Sequence, residues 1–245
     1  MKSKHSRFYL LITILLLVVV LLGFGRTFFL RPFFPQPGHL TMERLPAVIL
    51  IHGLLMTLWY VLLITQSALV NVKKVQLHMK LGWALVAVAI LLVVFAIPVM
   101  MGFAPRVLEL GFLDLGNPGA VQFQNMMWTN DLTSIIVFSS MVTIGILNRK
   151  NIALHRTMML FGSMAFTAPA SFRMFSWIFP QNEMPAAIAL FVLFPLSVLI
   201  HDWIKTKKFP LYAFWGFLAL LFVILGTLLL PTTEVWTTIF LNHLN

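Results

Sequence analysis

Leu154–Arg173, LHRTMMLFGSMAFTAPASFR, opens on a histidine–arginine pair, runs through apolar and small residues, and closes on an arginine. Read as one helix, it brings His155, Met159, Gly162, Phe166, Pro169 and Arg173 to a narrow face, because steps of three and four return to the same side. Eighteen residues separate His155 from Arg173. That is about 27 Å at 1.5 Å per residue, close to the ~30 Å hydrocarbon core of a bilayer. Pro169 lacks an N–H, so it is expected to kink the helix and free the carbonyl of Ala165. One face then carries polar groups at two membrane depths.

The composition supports that reading over the whole chain. Of 245 residues 60% are hydrophobic and 10% charged, far too apolar for a soluble domain of this size. With lipid as solvent, only helices or a closed barrel satisfy the backbone, and no strand alternation is present. The expected class is all-α, a polytopic helix bundle. The formal charge of +10 comes in small basic groups between apolar runs, which marks membrane topology and not a nucleic-acid surface. There is no cysteine. Disulfides, thiolate metal sites and covalent haem attachment are thereby excluded, leaving His, Asp, Glu and Met as ligands.

Seven runs reach spanning length: Phe8 to about Phe24, then 46–70, 79–102, 126–147, 155–177, 184–204 and 210–230. The first follows the basic MKSKHSR and is expected to be retained, since no small-residue cleavage site follows it. The chain divides into an uncleaved transmembrane helix over 1–25, an outer loop over 26–45, a membrane core bundle over 46–205, a seventh transmembrane helix over 206–231, and an outer interfacial tail over 232–245. Lys2, Lys4, Arg7, Lys73, Lys74, Lys80, Arg149, Lys150, Arg156, Lys205, Lys207 and Lys208 fall on one side. Arg26, Arg31, Arg44, Arg106 and Arg173 fall on the other. Twelve against five places the N-terminus inside a bacterial cytoplasmic (inner) membrane and the C-terminus outside. The stretch RVLELGFLDL within 103–125 is expected as a short surface helix. Val235, Trp236, Ile239 and Phe240 of the tail are expected on one interfacial face.

QLHMKLG opens the third span and ALHRTMMLFG the fifth. Spans 2–3 and 4–5 thus read as two faint copies of one hairpin. Gly82, Ala89 and Ala96 form a heptad row of small residues, whereas those of span 5 scatter around the helix, as close packing on several sides requires.

Two groups of ionisable residues stand out. His52, Asp131 and Arg173 fall at similar depth near the outer boundary, where a charge needs a partner or a function. An Asp131–Arg173 pair beside His52 is either a packing element or an outer polar site. Trp59 and Gln66 continue a heptad stripe inward from His52, and Gln66 at that depth needs a neighbouring helix or a ligand. On the inner side, His78 and His155 open spans 3 and 5 while His201 closes span 6. Helix N-termini favour neutral imidazole, the ligand form, so His78 and His155 are better ligand candidates than His201. The neighbouring Lys80 and Arg156 equally suit anionic lipid headgroups on the cytoplasmic side. His5, His39 and His243 read as loop or tail residues.

IHGLLMTLWYVLLITQ, LHMKLG, an Asn-Asp early in a later span and LHRTMMLFG with a following arginine together resemble a group of uncharacterised bacterial polytopic membrane proteins. The resemblance covers about residues 45–205. That group looks distantly like the two-haem membrane b-type cytochromes. The resemblance implies haem b, or a transition metal, on His78 and His155 as an inner pair with His52 as an outer ligand. Span 4 offers no histidine to pair with His52. Three functions follow as expectations: a haem- or metal-binding protein of redox or respiratory-chain assembly, a small-solute, proton or lipid transporter using the outer site, or a membrane scaffold.

Overall fold

The computed structural model describes residues 2–36 and 45–244; His39 and Arg44 of the expected outer loop fall outside them. Among the described residues every regular element is helical. The helices are α1 (Lys2–Phe24), α2 (Ala47–Asn71), α3 (Val75–Glu109), α4 (Pro118–Leu147), α5 (Ile152–Ala165), α6 (Ala168–Ile178), α7 (Glu183–Thr206), α8 (Leu211–Leu229) and α9 (Glu234–Leu244). A wide π-helical turn over Gly25–Phe29 prolongs α1.

Six stretches are long and apolar enough to cross a membrane: Arg7–Phe29, Ala47–Asn71, Val75–Glu109, Pro118–Leu147, Glu183–Thr206 and Leu211–Thr232. The single span expected over 155–177 is instead built in two pieces. α5 stops at Ala165 and α6 starts at Ala168, with Pro169 in its first turn. There a missing N–H removes no intrahelical bond, so a proline that would damage one long helix fits the start of a second. Thr167 turns its hydroxyl back to the carbonyl of Met164 at 2.7 Å. His155 and Arg173 therefore belong to different helices, not to one face of one helix.

Three further expectations change. RVLE belongs to α3, which runs through Pro98 and Pro105 to Glu109, so that stretch is no separate surface helix. Asn117 caps α4 by accepting from the N–H groups of Gly119 and Ala120. The helix consequently begins at Pro118, well ahead of 126. The tail also divides. Trp236 donates to the Thr129 hydroxyl at 2.7 Å, Phe240 is fully buried, and His243 donates to the carbonyl of Met101 at 2.9 Å. Val235 and Ile239 stay exposed, so α9 docks on the bundle by one face and presents only the other.

Contacts sort the chain into two ends. At one, Tyr9, Arg156 and Asp202 meet, and Asn151 donates to the Tyr212 hydroxyl. Every lysine of the sequence lies at this end. At the other, Arg26 stacks on Trp177 and Arg173 on Phe24. The α5–α6 pair runs from the lysine end to the arginine end.

α5 is the central post. From Thr157 to Ala165 every residue is buried, which is the signature of a helix packed on all sides. Three consecutive residues meet three different neighbours. Phe161 lies where any side chain at Gly216 of α8 would sit, Gly162 admits Met141 and Val142 of α4, and Ser163 receives α2. Trp59 donates to the Ser163 hydroxyl at 3.1 Å and Tyr60 to its carbonyl at 2.7 Å. Successive steps of about 100° carry the contacts around the helix. The scattered small residues of the sequence are those contacts.

A methyl group at position 216 would fall on the Phe161 ring, whereas one at Gly25 meets nothing. Gly216→Ala is expected to lower stability by about 1–3 kcal/mol through overpacking, and Gly25→Ala by less than about 0.5 kcal/mol. Unfolding of the detergent-solubilised variants measures both.

Candidate functional site

At the arginine end, α1, α2, α3, α4 and α6 enclose a cavity of about 170 Å³. His52, Asp131 and Arg173 all border it, so the three residues that the sequence put at one depth do converge. The π-helical turn closes one wall: Phe28 lies against Gly53 of α2, where a larger residue would collide with its ring. Phe24, Phe103, Phe166 and Met56 make the remaining walls apolar.

The polar groups around this cavity are only partly paired. Arg173 lies over the Phe24 ring at 5.1 Å and within electrostatic reach of Asp131, but the two close no direct ion pair. Asp131 accepts a long 3.5 Å bond from the amide of Asn130. Nδ1 of His52 and the hydroxyls of Ser134 and Thr27 are buried without a partner among the described residues. Ser134 is 1% exposed and sits one helical step of three from Asp131. That spacing, which puts it on the aspartate's face, was the available signal for a residue the ionisable groups overshadowed.

His78 and His155 come together at the lysine end. Each is the fourth residue of its helix, and their ring centroids lie 6.4 Å apart with planes at 84°. His155 donates from Nδ1 to the carbonyl of Gly145 at 2.8 Å, which fixes its tautomer and leaves Nε2 free. Nδ1 of His78 is buried and unpartnered. Gln66 is 5% exposed and neither amide atom has a partner among the described residues. Trp59, the other member of that stripe, is satisfied by Ser163.

His201 belongs elsewhere. Its ring stacks on Phe8 at 3.8 Å between centroids and its Nδ1 lies 3.1 Å from Asp202. Asp202 also accepts from the Tyr9 hydroxyl at 2.6 Å and lies 3.5 Å from Arg156, whose guanidinium covers the Tyr9 ring at 3.8 Å. This cluster ties α1, α5 and α7 together, and Tyr9 is its unforeseen member. A tyrosine inside an apolar run next to a basic terminus gives no sequence sign of the carboxylate it meets 193 residues away. Among the described residues no group of three His, Asp or Glu side chains is placed to hold a metal ion.

Comparison with protein-family models, with curated proteins and with solved structures finds no match.

Removing a carboxylate that serves three partners leaves the half-buried Arg156 guanidinium without its counter-charge. Asp202→Ala is expected to cost about 2–3 kcal/mol of stability through its lost charge-assisted hydrogen bonds, against about 1 kcal/mol for Tyr9→Phe, which removes one hydrogen bond. Denaturant unfolding of the purified variants distinguishes them. Equal effects would show that Arg156 and His201 do not depend on Asp202.

Proposed function

We propose that the chain is a multi-pass protein of a bacterial cytoplasmic membrane that binds a small anionic solute in the cavity at its outer end, as the binding step of transport. It crosses seven times, with the N-terminus inside and the C-terminus outside. The clustering of all lysines at one end supports this orientation. α5 and α6 together form the fifth crossing. Ile152 to Ile178 rises about 40 Å at helical pitch, ample for a ~30 Å core even with the break. The lysine end then meets the anionic headgroups of the inner leaflet.

One observation carries the solute reading. His52, Asp131, Ser134 and Arg173 border a single cavity while retaining unused hydrogen-bonding capacity. Fixed polar groups at membrane depth are expensive, and their retention without mutual pairing favours a ligand that completes them. The broken helix adds a second element. Thr167 makes no side-chain cap to α6, so the positive end of the α6 dipole is available at Pro169, one turn before Arg173. Discontinuous membrane helices hold anionic groups in this way. Arg173 anchors the anion, Ser134 and His52 complete its hydrogen bonds, and the phenylalanine walls take a short apolar tail. Asp131 limits the site to one negative charge by repelling a second.

Butyrate, butylamine and butanol share a size and differ in charge. Butyrate alone is expected to stabilise the detergent-solubilised protein, the gain rising with the logarithm of its concentration to about 2.7 kcal/mol at a hundredfold excess over Kd. Arg173→Gln should abolish that response. An equal response to butylamine, or a response that survives in Arg173→Gln, would contradict the reading.

A further inference from the structure

We propose that His78 and His155 hold a single cuprous ion at the lysine end of the bundle, with the Gln66 amide as a weaker third contact. This site is separate from the anion cavity and does not rest on it.

The separation of the rings comes first. With metal–nitrogen lengths near 2.0–2.1 Å, two imidazoles on one ion hold their ring centres roughly 5 Å apart when the ion is tetrahedral and roughly 6 Å when they oppose each other. The observed 6.4 Å lies at the opposed end of that range. Near-perpendicular planes, 84° apart, keep the two rings clear of one another around a shared ion.

One ring is also oriented from behind, and the other carries an unused nitrogen. His155 is fixed by the carbonyl of Gly145, and His78 lies beside the backbone carbonyl of Gln66 with its Nδ1 unpartnered. Metal-bound histidines characteristically give their second nitrogen to a carbonyl or carboxylate, which orients the ring and makes the ligating nitrogen more basic. His155 is backed this way with Nε2 left over, His78 holds an unpartnered Nδ1, and two such rings six ångströms apart form a half-built coordination sphere.

The second and independent sign is Gln66. Its side chain is 95% buried with both amide atoms unpartnered. It lies against α3 at Gly82, one turn beyond His78, where the amide nitrogen is 3.9 Å from the position a β-carbon would take. A buried amide left without partners costs about 1–3 kcal/mol, and a glutamine oxygen is an accepted weak ligand of copper.

Charge selects the oxidation state. Lys73, Lys74, Lys80, Arg149 and Lys150 cluster at this end, Asp202 is taken up by Arg156, Tyr9 and His201, and among the described residues no carboxylate joins the pair. A divalent ion would bring two charges into a cationic surround with nothing to offset them. A monovalent, soft ion that accepts two opposed nitrogen ligands brings one. Met159, one turn after His155, places its sulfur against α4 at Gly145, a soft neighbour in keeping with copper(I).

The test uses full-length protein purified without a histidine tag, under anaerobic conditions with ascorbate. Copper(I) supplied as its bicinchoninate complex is titrated in, and the loss of the coloured complex counts the ions transferred. One copper per chain is expected. His78→Ala and His155→Ala should each weaken binding at least tenfold, Gln66→Leu several-fold, and His243→Ala not at all. X-ray absorption at the copper edge of the unmodified protein gives a readout that needs no variant to fold, and should show two nitrogen neighbours near 1.9–2.1 Å. Absence of copper transfer, zinc(II) bound in preference to copper(I), or a haem absorption band lost on substituting the same histidines would each overturn the proposal. Arg173→Gln should leave copper binding unchanged, so failure here and failure of the anion cavity are told apart.

Discussion

The packing of Phe161, Gly162 and Ser163 is the constraint on which the rest of the bundle depends. In a bilayer the tails outside a helix are as apolar as its neighbours, so association rests on close fit and on hydrogen bonds between helices. These three residues supply both in three directions. Phe161 enters the space that Gly216 leaves, Gly162 lets α4 approach, and Ser163 takes two donors from α2. The six long apolar helices can be arranged around such a post. A post that is itself charged at one end and broken before the other then delivers polar groups to both ends.

The break after Ala165 is what sends the two ends of this segment to different neighbours. An unbroken helix would have carried His155 and Arg173 on one stripe, both facing the same neighbour. Restarting the helix at Ala168 lets α5 keep its fit to α2, α4 and α8 while α6 swings under α1, where Gly23 passes close over the Ala170 backbone. Arg173 thereby reaches the cavity beside Phe24, and Phe166 and Pro169 become part of its wall. The lysine end is fixed separately, by the Tyr9–Arg156–Asp202–His201 cluster and by the approach of His78 to His155.

Much of this was legible in the sequence because membrane burial is written in length and charge. The apolar runs located α2, α7 and α8 to within two residues of their bounds, whereas α1 starts six residues earlier and α3 ends seven later than expected, and position within the spans put His52, Asp131 and Arg173 at one depth. The helix openings LHMK and LHRT marked the two histidines that meet. What periodicity could not carry was a change of direction within one apolar run: a proline after a threonine reads as a kink or as a new helix start with equal ease, and tertiary packing decides. Tyr9, Ser134 and the inward face of α9 escaped for a related reason. Each is defined by a partner distant in the chain, and a lone hydroxyl or tryptophan has no local pattern that names its partner.

The central claim is that α5 and α6 form one broken crossing joining sites on opposite sides of the membrane. The chain contains no cysteine, so single cysteines report without background. Ala153, at the start of α5, and Ser176, near the end of α6, are both exposed. A membrane-impermeant thiol reagent added to intact spheroplasts should label Ser176→Cys and leave Ala153→Cys untouched until the membrane is permeabilised. Labelling of both from the same side would contradict the crossing and, with it, the assignment of the anion cavity and the histidine pair to opposite faces.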